Sequence, residues 1–139
     1  MSNVGPSDPV ILLVDDDATT NFLHKRAIRK AHGKVDVREA SNGAEAIDHL
    51  REALTRGEDP PSFIFLDINM PKLDGWGFLD AYRELPDDWR KRSSLLMLTT
   101  SLNPDDHEKA DKYPEVKGVI DKMLNSDRFK EIISEYAFA

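Results

Sequence analysis

Three short stretches of this chain are apolar almost without interruption and too short to be helices: Val10-Ile-Leu-Leu-Val14, the third expected strand Ser62-Phe-Ile-Phe-Leu66, and Leu95-Leu-Met-Leu98. A strand with one face in water alternates apolar and polar residues. An unbroken run suits a strand covered on both faces, as in a parallel sheet flanked by helices. The segments between these runs carry the helical period instead. From about Ala18 to Ala31, Leu23, Ala27 and Ala31 fall on one face. Asn42 and Glu45 have the spacing of a capping box, and Ile47, Leu50 and Leu54 line the helix that follows, up to a stop at Gly57 to Pro61. Asp74-Gly75 opens a helix through Phe78, Leu79 and Tyr82, closed by Pro86. Asn103-Pro104-Asp105-Asp106 gives a cap, a proline at the first helical position and acids on the positive end of the dipole. Ser126 is a cap for a last helix carrying Phe129, Ile132, Ile133 and Tyr136. Val35 to Ala40 and Val116 to Asp121 supply two weaker strands.

Five strands alternating with five helices favour a parallel sheet with helices on both faces. A closed eight-fold barrel needs about twice this chain. The open sheet with strand order 2-1-3-4-5 remains, and its switch point lies between strands one and three, where ligands sit outside the carboxyl ends. The 139 residues, 40% of them hydrophobic, suit one domain, placed at residues 10–139 behind a polar, flexible segment at residues 1–9.

The charge balance excludes some functions. Nineteen basic against 26 acidic side chains leave a net charge of -7, which argues against nucleic-acid binding. No apolar run is long enough to span a bilayer, and the polar first nine residues are not expected to act as a signal peptide. With no cysteine, disulfides and thiolate metal sites are unavailable. The expected location is the cytoplasm, away from membranes.

On the sheet, the polar residues converge. Asp15, Asp16 and Asp17 follow strand one, Asp67 follows strand three, Thr99 and Thr100 end strand four, and Lys122 ends strand five. Taken singly, most have ordinary explanations: Asp17 as a helix cap, the threonines as β-branched strand residues, Lys122 as a surface lysine. Together they place a reactive or ion-binding group at each strand end that faces the crevice. Clustered carboxylates repel unless a cation joins them, and oxygen ligands favour a hard ion, with Mg²⁺ the default for phosphate chemistry. A carboxylate can itself be a nucleophile, and a metal and a lysine supply most of what phosphoryl transfer needs.

These motifs, Val14-Asp15-Asp16-Asp17, Phe65-Leu66-Asp67-Ile68-Asn69-Met70-Pro71 with Asp74-Gly75, Leu98-Thr99-Thr100 and Lys122, resemble the receiver domain of bacterial response regulators from about Val10 to Tyr136. The resemblance implies a flavodoxin-like (βα)5 three-layer sandwich, a stand-alone response regulator of a two-component phosphorelay, regulator rather than enzyme. It implies Asp67 as the phosphoacceptor, Thr99 as the switch hydroxyl and Lys122 as the partner of the phosphoryl group. Mg²⁺ is held by Asp15 through water, Asp16, Asp67 and the backbone carbonyl of Asn69. The implied partners are a histidine kinase or histidine phosphotransfer protein and an unknown downstream protein. Two departures stand out: Met123 follows the lysine where the family usually has proline, and Val119 occupies the place of the usual switch aromatic.

Two alternatives belong beside that expectation. Asp15-Asp16-Asp17-Ala18-Thr19 fits the nucleophile motif of haloacid dehalogenase-like phosphatases, with Asp15 as nucleophile, but Asp67 precedes both Thr99 and Lys122, the reverse of that family's order. A non-phosphorylated pseudo-receiver would be a binding module only. His24, His32, His49 and His107 show no metal spacing and are expected on helix surfaces; Trp76 and Trp89 are expected in packing or partner contacts.

Overall fold

The computed structural model describes residues 9–68, 70, 74–100, 104–122 and 124–136. Five strands, β1 (Val10–Val14), β2 (Asp36–Ala40), β3 (Phe63–Asp67), β4 (Ser94–Thr99) and β5 (Val116–Asp121), pair in parallel in the order β2-β1-β3-β4-β5. This is the flavodoxin-like sheet expected from the unbroken apolar runs. Among the described residues, six helices connect and follow the strands: α1 (Ala18–Ala31), α2 (Gly43–Thr55), α3 (Gly75–Tyr82), α4 (Asp87–Arg90), α5 (Pro104–Asp111) and α6 (Ser126–Tyr136).

Alternate strand residues feed two cores, which is why the runs have no polar gaps. Leu12, Val14, Ile64, Leu66, Leu95 and Met97 pack under α2, α3 and α5. Ile11, Leu13, Phe63, Phe65, Leu96 and Leu98 pack under α1 and α6. Phe65 meets Phe129 of α6 edge to face at 5.3 Å. Burying one such side chain contributes about 2 kcal/mol, so the sheet is held chiefly through its centre.

Local signals act largely as the sequence suggests. Asn42 Oδ1 accepts from the Glu45 amide, while the Glu45 carboxylate reaches Ser41. Gly57, at φ 74°, ends α2: its amide and that of Glu58 bond back to Leu54 and Ala53, a closure that needs the left-handed residue glycine tolerates best.

Five expectations are corrected. The described residues hold a helix more than the five expected, because α4 fills one turn after Pro86; Trp89 anchors it, buried, with its indole N–H on the Glu58 carbonyl. Strand β2 starts at Asp36 rather than Val35. Asn125, not Ser126, caps α6 with its side chain, accepting from the Arg128 amide. Helix α1 does not bury Leu23, which is 43% exposed; its inward face is Thr20, Asn21, His24 and Ile28. His24 is therefore a core residue, not a surface one. The caps and turns expected at Asn103 and Pro71, the loop after Lys122 at Met123 and the leading segment up to residue 8 lie outside the described residues.

Candidate functional site

The sheet register assembles the site. Val14 pairs with Leu66, so Asp15, one residue beyond the pair, stands beside Asp67 across the crevice. Asp67 pairs with Leu98 and Thr99 with Asp121, which brings Thr99 and Lys122 to the same edge. Four strand ends thus deliver Asp15, Asp67, Thr99 and Lys122 to one place, as the predicted strand order requires.

Burial separates these acids into different roles. Asp15 and Asp67 are 4% and 7% exposed, whereas Asp16 is open to solvent. One carboxylate oxygen from each of Asp15, Asp16 and Asp67 lies within 4.8 Å of the others. Lys122 Nζ donates to Asp15 Oδ2 at 2.6 Å and stands 3.3 Å from Asp67 Oδ1. Burial disfavours the ammonium, but the Asp15 hydrogen bond and the Asp67 charge outweigh it and hold the Lys122 amine above its ordinary range. Three carboxylates thus gather where Lys122 pairs with two of them, Asp15 and Asp67. That donor set, all oxygen, partly buried and short of positive charge, fits a hard divalent ion such as Mg²⁺. The fourth ligand expected from Asn69 lies outside the described residues.

Neighbours fix each acid. Asp15 Oδ1 accepts from the Asp17 amide, and the Asp15 amide donates to the Ala40 carbonyl. Asp17 is a helix cap, as its sequence position suggests: it accepts from the Thr19 amide and the Thr20 hydroxyl, and the Thr20 bond leads in holding its carboxyl below the ordinary range. Gly75 explains the Asp74-Gly75 pair. Asp74 caps α3 through the Gly77 amide, and a Cβ on Gly75 would stand 2.9 Å from the Asp67 carbonyl oxygen and 2.9 Å from Ile68 Cα. The start of α3 is pressed directly on the end of β3. The next residue, Trp76, packs at 5.8 Å on Tyr113 with Lys109 Nζ 4.7 Å over its ring, so Trp76 is a packing residue between α3 and α5. Thr99 is 1% exposed, whereas Thr100 is exposed.

Sequence reasoning missed Asn21 and His24. Asn21 Nδ2 donates to the Asp15 carbonyl at 2.9 Å, and His24 Nε2 accepts from the Leu124 amide at 3.3 Å; both bonds are buried. A signal was present: Thr20, Asn21 and His24 fall at helical spacing on the face that Ile28 continues.

The model of the response regulator receiver domain matches residues 11–134. A solved two-component response regulator from Cytophaga hutchinsonii is 31% identical with a TM-score of 0.81, over 92% of this chain and 96% of that one. Response regulator Rcp1 of Synechocystis is 32% identical over 107 residues, 76% of this chain and 71% of its own. Sensor histidine kinase CheAY of Helicobacter pylori is 32% identical over 83 residues, 60% of this chain but only 10% of its own. This chain therefore spans about a tenth of the histidine kinases it matches. Among the described residues, no helix is long and apolar enough to cross a membrane.

Proposed function

Because this chain belongs to the response regulator receiver family, we propose that it takes a phosphoryl group from a phosphohistidine onto Asp67 in a Mg²⁺-dependent step and passes the change on by protein contact. The observation that carries this is the Lys122 ammonium set between the buried carboxylates of Asp15 and Asp67, with Asp16 open to solvent beside them. A regulator that catalyses its own modification needs little more.

In the step, an Asp67 carboxylate oxygen forms a bond to phosphorus as the donor's nitrogen–phosphorus bond breaks. The imidazole nitrogen keeps that electron pair and takes up a proton. Lys122 leaves its contact with Asp67 for an oxygen of the incoming group, moving by no more than a side-chain rotation. The Thr99 hydroxyl donates to another oxygen. Asp15, Asp16, Asp67 and the Asn69 carbonyl would hold Mg²⁺, which neutralises charge on the transferring group when bound. Asp16, being exposed, leaves that side open to water and donor. The donor is a sensor kinase or a phosphotransfer protein, and the chain acts as a regulator rather than an enzyme.

Acetyl phosphate with Mg²⁺, followed by mass spectrometry of the labelled peptide, tests this. Labelling at Asp67 that a chelator abolishes is expected. Labelling at Asp15 would instead point to phosphatase-type chemistry. No labelling, with no change in amide spectra on adding beryllofluoride and Mg²⁺, would leave a binding module without phosphoacceptor activity.

A further inference from the structure

We propose that His24, on α1, is a positioning residue for Lys122, an inference that rests on the phosphoacceptor reading of Asp67. Lys122 acts at the end of β5, where sheet pairing stops. Its own amide is held by the Thr99 carbonyl at 3.0 Å. Two residues on, the Leu124 amide donates to His24 Nε2 at 3.3 Å, in a buried setting. The backbone around the lysine is thus fastened on one side to β4 and on the other to α1. The sequence has Met123 between Lys122 and Leu124 rather than a proline.

The ring is equipped for the task. His24 is 1% exposed and meets Phe129 edge-on at 5.7 Å, which sets its plane. To accept at Nε2 the imidazole must be neutral, with its proton on Nδ1. Burial, the leading cause, pushes its pKa down and favours the neutral form; the Lys122 charge acts the same way and the Asp15 charge opposes. One turn earlier on the same face, Asn21 holds the Asp15 carbonyl. Helix α1 therefore grips both loops whose side chains meet at 2.6 Å in the Lys122–Asp15 pair. A hydrophobic side chain at position 24 would fill the core equally well but would orphan the Leu124 amide.

The test compares the full chain with His24→Leu, which removes the acceptor, and His24→Gln, whose Oε1 can occupy the place of Nε2. Each is made with Lys122 intact and with Lys122→Ala. Initial rates of labelling by acetyl phosphate are measured at saturating Mg²⁺, together with Mg²⁺ affinity and Leu124 amide exchange. His24→Leu should slow labelling about fivefold or more with Lys122 present, and His24→Gln should restore most of the rate. In the Lys122→Ala background, His24→Leu should cause no further loss. Mg²⁺ affinity should stay the same, and Leu124 exchange should rise in His24→Leu alone. An equal loss in both backgrounds, or a parallel loss of Mg²⁺ affinity, would mean a general structural role and overturn the proposal. An unchanged rate in His24→Leu would overturn it too. If His24→Leu does not fold, His24→Asn, whose amide is too short to reach Leu124, takes its place under the same criteria. If the parent is not labelled, the phosphoacceptor reading fails separately. The hold of His24 on the lysine is then judged from the Lys122 Nζ resonance and Leu124 exchange, and no change in either on going to His24→Leu overturns it.

Discussion

Lys122 Nζ lies closer to Asp15, at 2.6 Å, than to Asp67, at 3.3 Å, and all three side chains are largely buried. The lysine thus stabilises the acidic cluster while remaining close enough to serve an incoming anion. Removing it leaves two buried carboxylates without their cation. Lys122→Met should destabilise the chain by about 3 kcal/mol in metal-free buffer. Mg²⁺ should recover much of that loss by supplying positive charge to the same acids. Urea unfolding with and without Mg²⁺ measures both; equal stability of parent and variant in chelator would contradict the arrangement.

Asp16 is the exposed member of the acid group, so it contributes little to folding and much to an ion. Asp16→Ala should leave stability in chelator within about 0.5 kcal/mol of the parent. The rise in melting temperature that Mg²⁺ gives the parent should shrink sharply. An unaltered Mg²⁺ response in the variant would remove Asp16 from the metal site.

Gly75 tests how tightly β3 and α3 are joined. A methyl group there meets backbone atoms of Asp67 and Ile68 at 2.9 Å, and backbone cannot turn aside as a side-chain tip can. Gly75→Ala should cost about 2 kcal/mol through overpacking and displace the Asp67 peptide, slowing labelling by acetyl phosphate. Gly33→Ala is the control, since nothing lies within 4 Å of its added methyl. If both variants melt with the parent, the close contact is not rigid.

The sheet was legible because hydrophobicity alone specifies it: Leu12 and Leu13 must both be covered, and only a sheet with helices on two faces covers both. The strand ends then place Asp15, Asp67, Thr99 and Lys122 together with no further information. Hydrophobicity misjudged α1 for the same reason. It favours Leu23 as the inward residue, but the helix buries Asn21 and His24, whose partners are the Asp15 carbonyl and the Leu124 amide. Leu124 is 100 residues from His24 in sequence, and no local pattern reveals such a bond. Helix α4 escaped because one turn has no periodicity; only Trp89 marks it.

Buried histidine ties stability to acid. Burial leads in pushing the His24 and His49 pKa values below the ordinary 6.5. The unfolded chain therefore takes up protons before the folded one does. Stability from these residues is complete above about pH 6.5 and falls as pH drops towards their folded values. Asp15 and Lys122, whose charges act on His24, are carried unchanged in the comparison that isolates it. Urea midpoints measured from pH 7.5 down to about pH 5 should fall less steeply in His24→Gln than in the parent, with the remaining slope owed in part to His49. Parallel slopes would mean that His24 is protonated as readily when folded as when unfolded.

Thr99 is buried at the end of β4, where its carbonyl accepts from the Lys122 amide. Its hydroxyl is proposed to meet the phosphoryl group after transfer, so it should govern response rather than acceptance. Thr99→Ala should be labelled at Asp67 at close to the parent's rate. Binding of beryllofluoride with Mg²⁺ should then produce smaller amide shifts in β4 and in the seam where Trp76 packs on Tyr113. That seam is the natural place to look, because Trp76 follows Gly75, which is pressed against the Asp67 carbonyl, while Lys109 and Tyr113 belong to α5 and the turn after it. Trp76 fluorescence gives a second readout, with Trp89, buried and held on the Glu58 carbonyl, as background. Full-sized shifts and an undiminished fluorescence change in Thr99→Ala would mean that the hydroxyl does not carry the response, and that the contact of Gly75 with β3 transmits it alone.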